Sequence, residues 1–98
     1  MFKKVAVIGA GFIGRSWSMV FARAGCGVSL YDVYPDALEQ AMILIEQNLA
    51  DLESNKLIAS ATSVSSRIKT VSTLEEAIVD AQWVQENALE QVAIKREL

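Results

Sequence analysis

The residue types and spacings that could do chemistry lie near the start of the chain. Gly9-Ala10-Gly11-Phe12-Ile13-Gly14 follows an apolar, β-branched run, Val5-Ala6-Val7-Ile8, and an acid, Asp32, ends a second such run eighteen residues after Gly14. That is the strand, glycine turn, helix, strand, acid order of a dinucleotide-binding βαβ unit. Gly9 suits the tight turn out of the strand. Gly11 removes a Cβ from the path of a pyrophosphate, and Gly14 lets the next helix pack close to the strand. A helix from about Arg15 to Ala24 would aim its unbonded N–H groups and positive dipole end at the phosphates, so no lysine is needed there. Asp32 would accept hydrogen bonds from the adenosine ribose and repel a 2′-phosphate. With Val33 beside it offering no guanidinium, NAD is expected rather than NADP. The bland alternative is a glycine-rich turn that binds no dinucleotide, and an acid at this distance weighs against it.

The elements needed to position these residues are legible further along. Strand one is expected over Lys4–Ile8, its unbroken apolar character fitting a central parallel strand, and strand two over Val28–Tyr31. The first helix carries Trp17, Met19, Val20 and Phe21, apolar enough to pack on the sheet. Tyr34-Pro35-Asp36 turns the chain into a helix, with Pro35 suited to a first turn and Asp36 to its positive end. Leu38, Ala41, Met42, Ile45, Leu49 and Leu52 recur at three- and four-residue steps and mark a long amphipathic helix from Ala37 to about Leu52. Ser54-Asn55 breaks it, and Leu57 to Arg67 reads as a shorter helix or an irregular return. Because a crossover helix needs only about a dozen residues, this length implies a helical hairpin beyond the sheet edge, either flanking a ligand or making a subunit contact. Strand three is Ile68–Val71. Ser72 and Thr73, each three residues before Glu75 and Glu76, offer two capping-box registers for a helix through Val79. Strand four is about Gln82–Glu86, and in the closing stretch from Ala88 to Leu98 the last residues, Val92 to Leu98, read as helix.

Composition sets the bounds. Ninety-eight residues make at most one domain, and a whole dinucleotide-binding domain usually needs two βαβαβ halves, so an incomplete domain over residues 1–98 is expected. Its fold class is α/β, the first part of a Rossmann-type doubly wound parallel sheet. The 52% apolar content suits parallel strands covered on both faces. A net charge of −3 without a basic cluster argues against nucleic acid. No run approaches the roughly 18 apolar residues of a membrane span, and no signal peptide is evident, so a cytoplasmic protein is expected. The single Cys26 cannot form an internal disulfide and reads as a packing residue. No metal site is expected.

The run from Gly11 through Arg15-Ser16-Trp17-Ser18 to Ala22, with Val28 to Asp32, resembles the NAD-binding domain of the 3-hydroxyacyl-CoA dehydrogenase superfamily, most nearly its lambda-crystallin and L-gulonate 3-dehydrogenase branch. Val84-Gln85-Glu86-Asn87-Ala88-Leu89-Glu90, with Lys95 five residues on, is similar to that family's segment after strand four, so the resemblance covers essentially the whole chain. It implies that Phe12 and Ile13 approach the pyrophosphate through their backbones and that Asp32 holds the ribose. It also implies that Glu90 and Lys95 reach the nicotinamide side; on spacing alone they are an ordinary exposed pair. The family transfers hydride between NAD and the C3 carbon of a small 3-hydroxy acid or its thioester, using a histidine base. This chain has no histidine, so no catalytic residue is assigned within it, and a homodimer built through a later domain is implied.

Within that class the segment before strand three holds Lys56 and Arg67 against Asp36, Glu39, Glu46, Asp51 and Glu53. That balance is poor for the phosphates of CoA, and a free acid such as L-gulonate is expected over an acyl-CoA, with L-carnitine also compatible. A non-catalytic dinucleotide-binding module, a crystallin-like structural protein and a flavin-binding oxidase are the alternatives from other classes.

Overall fold

Val5, Ala6, Val7 and Ile8 are apolar without interruption because both faces of their strand are covered. In the computed structural model, which describes residues 2–87, β1 (Lys4–Ile8) lies inside a four-stranded, wholly parallel sheet of order β3-β2-β1-β4. Its neighbours are β2 (Gly27–Tyr31) and β4 (Trp83–Glu86), and β3 (Ile68–Thr70) forms the far edge. Alternate side chains of a strand point to opposite faces. Val5 and Val7 join the larger cluster with Leu30, Ile45 and Leu49, while Ala6 and Ile8 meet Ala77 on the other side. The sheet is therefore doubly wound, as expected, and β3-β2-β1-β4 matches the first part of the dinucleotide-binding strand order.

Helix α1 (Phe12–Arg23) starts three residues before the sequence expectation, so Gly14 lies inside its first turn. The reason is spatial. A Cβ on residue 14 would stand 1.7 Å from the Gly9 carbonyl oxygen, so the helix can press onto the end of β1 only with glycine there. Closeness at that point sets the rest of the inward face: Gly14, Ser18 and Ala22, four residues apart, are the buried residues of α1. The Ser18 hydroxyl is satisfied by donating to the Gly14 carbonyl at 2.9 Å. The large apolar side chains expected on the sheet are displaced outward. Trp17 and Val20 are exposed, and only Met19 and Phe21 pack partly against the core.

Helix α2 (Pro35–Ser54) has Pro35 at its start, Asp36 in its first turn, and Leu38, Ala41, Ile45 and Leu49 buried along one stripe. It is stopped by Lys56, two residues past its end, whose φ of +61° makes the left-handed turn usually given to glycine, and the Leu57 N–H closes back on the Leu52 carbonyl at 2.8 Å. The following stretch contains a short helix, α3 (Ala61–Ser65), capped by the Ser60 hydroxyl. Arg67 then donates to the Ala22 carbonyl at 3.0 Å, tying the return segment to the end of α1. Of the two capping registers, the structure uses Thr73, whose hydroxyl accepts from the Glu76 N–H at 3.1 Å and opens α4 (Leu74–Ile78). Cys26 is buried, its thiol donating to the Phe2 carbonyl. The helix expected over Val92–Leu98 lies outside the described residues.

Gly14→Ala should destabilise the fold by at least the roughly 1–3 kcal/mol of an overpacked site, read as a lowered urea midpoint, because the atom it meets is backbone. An unchanged midpoint would show that α1 can retreat from β1 without loss.

Candidate functional site

The carboxyl end of β1 makes the site. Gly9 takes a φ of +100°, a conformation that L side chains rarely adopt, and its N–H donates to the Tyr31 carbonyl at 2.7 Å. Two backbone N–H groups then hold the acid. The Ala10 N–H donates to Asp32 Oδ2 at 2.8 Å, and the Tyr34 N–H donates to Oδ1 at 2.9 Å. Both carboxylate oxygens are thus held by backbone, one from the glycine turn and one from the entry to α2. A carboxylate has about four lone-pair sites, so acceptor capacity remains for ligand hydroxyls.

Gly11 caps α1 without a side-chain hydrogen bond, and the first turn holds no acid. The first N–H groups of any α-helix lack intrahelical partners, so those of Phe12, Ile13 and Gly14 offer donors at the positive end of the dipole. Phe12 and Ile13 leave their side chains largely in solvent, Phe12 with the Arg15 guanidinium 5.7 Å from its ring centroid. Gly11 is the telling residue. Its φ of −70° is one that any residue adopts, and among the described residues a Cβ there would meet nothing within 4 Å. The fold itself makes no demand for glycine at that position; a ligand lying against the backbone would.

These groups line one cleft of about 480 Å³, together with Tyr34, Ala37 and Asn87. The structure brings together seven of the expected residues, Gly9, Ala10, Gly11, Phe12, Ile13, Gly14 and Asp32, around this end of the sheet. Glu90 and Lys95 lie outside the described residues. Asn87, to which the sequence reading gave no role, is buried in the cleft wall. Its place directly after strand four was the one signal that could have marked it. Another cleft, about 590 Å³, lies between α2 and the end of β3, but its apolar walls and the Glu39 and Glu46 carboxylates suit phosphate poorly. Among the described residues no cluster of His, Cys, Asp or Glu is placed to hold a metal ion, and no helix is long and apolar enough to cross a membrane.

A parallel sheet with a glycine turn at a helix N-terminus and an acid bonded to that turn defines a Rossmann-type dinucleotide-binding unit. The chain belongs to the 3-hydroxyacyl-CoA dehydrogenase family, whose NAD-binding domain matches residues 4–98. It is 40% identical over 96 residues to an L-carnitine dehydrogenase of Streptomyces griseus, covering 98% of this chain and 28% of that protein. It is 35% identical over 97 residues to a lambda-crystallin homolog of Bos taurus, covering 96% of this chain and 30% of that one. In structure it is similar to a 3-hydroxybutyryl-CoA dehydrogenase of Escherichia coli K12, with a TM-score of 0.82 at 28% identity over 93% of this chain and 20% of that chain. The chain therefore spans under a third of the length of these relatives. Its cofactor is NAD, as the glycine turn and acid led the sequence reading to expect.

Gly11→Val is expected to leave the thermal midpoint near that of the unsubstituted chain while NADH binding, followed by fluorescence, is lost. Native affinity in that variant would remove the glycine turn as the binding surface.

Proposed function

We propose that this chain is the cofactor-holding part of an NAD-dependent oxidoreductase that oxidises the 3-hydroxyl of a small free hydroxy acid. The observation that carries the reading is the bond from the Ala10 N–H to Asp32, which sets a ribose-binding acid against a phosphate-binding turn. The N–H groups of Phe12, Ile13 and Gly14 take the diphosphate, Gly9, Ala10 and Gly11 form the surface it lies on, and Asp32 takes the adenosine ribose hydroxyls. Glu90 and Lys95, through the family resemblance, serve the nicotinamide half. NAD, when bound, supplies the hydride acceptor. The chain has no histidine, so in this reading the general base comes from outside these residues.

The charge on the segment from α2 to Arg67 supports a free acid over a CoA thioester. Five carboxylates there face two cations, and Arg67 already commits one N–H to the Ala22 carbonyl. Among free acids, an L-gulonate-like polyhydroxy acid is the leading substrate. L-carnitine is a second reading, favoured by the 40% identity to an L-carnitine dehydrogenase; both carry a 3-hydroxyl and a free carboxylate. The natural protein from its source cells, given NAD with L-gulonate, L-carnitine or 3-hydroxybutyryl-CoA, should form NADH with one of the free acids. Turnover of the thioester alone would overturn the substrate class.

Asp32→Arg should weaken NADH binding roughly tenfold to a hundredfold, the loss expected when hydrogen bonds to a charged group are removed, and should narrow the preference over NADPH. Paired titrations with the two cofactors measure this; unchanged selectivity would take the ribose role from Asp32.

A further inference from the structure

Asn87 stands one residue past the Ile8–Glu86 pairing, which puts it beside Gly9 where β4 leaves the sheet. That is the point at which strand order reverses. β2 and β3 lie on one side of β1 and β4 on the other, and ligands of open α/β sheets bind in the crevice such a reversal creates. Asn87 is only 9% exposed, and its Nδ2 is buried with no hydrogen-bond partner among the described residues. Buried amide donors are nearly always bonded, so an orphan of this kind calls for an explanation. Its surroundings supply one. The nitrogen lies 3.4 Å from where a Cβ on Gly14 would stand, against the first turn of α1, and the residue lines the same cleft as the glycine turn and Asp32.

We infer that the Asn87 side-chain amide is a further cofactor contact, donating to an oxygen of the diphosphate bridge. The inference rests on the NAD reading of the glycine turn and adds a side chain to a diphosphate subsite otherwise built from backbone. Three features favour the diphosphate over the other parts of the dinucleotide. Asp32, on the β2 side of β1, is an acceptor suited to ribose hydroxyls. Asn87, on the β4 side, offers a donor, with the same polarity as the N–H groups of the α1 N-terminus. Those groups and the amide converge on Gly14, where the helix dipole is most positive. The terminal torsion of Asn is broad, so a modest rotation carries the amide from Gly14 into the cleft when an anion arrives.

The test uses the full chain with Asn87→Ala and the isosteric Asn87→Asp, titrated with NADH and with ADP, which has a diphosphate and no nicotinamide. Apo melting temperatures are recorded alongside. Expected are a Kd raised about tenfold for both ligands in Asn87→Ala, matching the loss of one hydrogen bond to a charged group, and a larger loss in Asn87→Asp, whose carboxylate would oppose the phosphates. The apo melting temperature should not fall in Asn87→Ala, since the amide nitrogen leaves no partner behind among the described residues. Unchanged affinity with a lowered apo melting temperature would make the amide structural and overturn the inference. So would weaker NADH binding with ADP unaffected, which would move the contact to the nicotinamide half. If the unsubstituted chain binds neither ligand, the NAD reading itself falls and this inference with it; failure of the Asn87 inference alone requires that the unsubstituted chain bind both.

Discussion

The absence of a side chain at residue 14 is the constraint on which the rest of the structure depends. The Gly9 carbonyl occupies the space a Cβ would need, so α1 begins in direct contact with the end of β1. That contact fixes the height of the helix above the sheet and leaves room for only Ser18 and Ala22 further along the inward face. It also places the first turn, with its unbonded N–H groups and positive dipole end, at the mouth of the cleft rather than above it. A helix held farther off could carry larger inward side chains and bury more apolar area. It would no longer present its N-terminus to a ligand lying on the glycine turn. Packing energy is exchanged here for the position of a helix end.

A second economy lies in Asp32. As an acid at the end of a strand it must be solvated or bonded, and two backbone N–H groups, from Ala10 and Tyr34, meet that need. Those bonds join three segments at one point: the turn after β1, the end of β2 and the entry to α2. The carboxylate therefore has a set orientation before any ligand arrives, which lowers the ordering cost of binding. The same bond that stiffens the turn gives the acid its address.

The three glycines of the motif make different demands. Gly9 is required by backbone angle, Gly14 by close approach, and Gly11 by neither. Of the three, Gly11 lacks a reason among the described residues, which is why it says most about binding. Asn87 is its counterpart among polar residues, a buried donor whose partner does not appear among the described residues.

Much of this was readable from residue order. The unbroken apolar run of β1, the glycine spacing, the acid eighteen residues on and the three- and four-residue periodicity of α2 are local patterns with local causes, and they identified the doubly wound class, the turn and Asp32. The boundaries were less legible where long-range contacts override propensity. The early start of α1 depends on Gly9 meeting Gly14, and the stop after α2 uses Lys56 in a left-handed turn that no glycine announces. Nor does periodicity reveal which apolar residues of α1 face inward, since Trp17 and Val20 look like core until the distance to the sheet is known. The sequence by itself determined the cofactor class, because that rests on residue types a backbone turn and a ribose require. Only the tertiary structure decided that Asn87 lines the same cleft and that Asp32 is locked to Ala10, because both depend on β4 crossing the sheet to lie beside β1 and on β2 ending level with the turn, placements made by chain segments far apart in sequence.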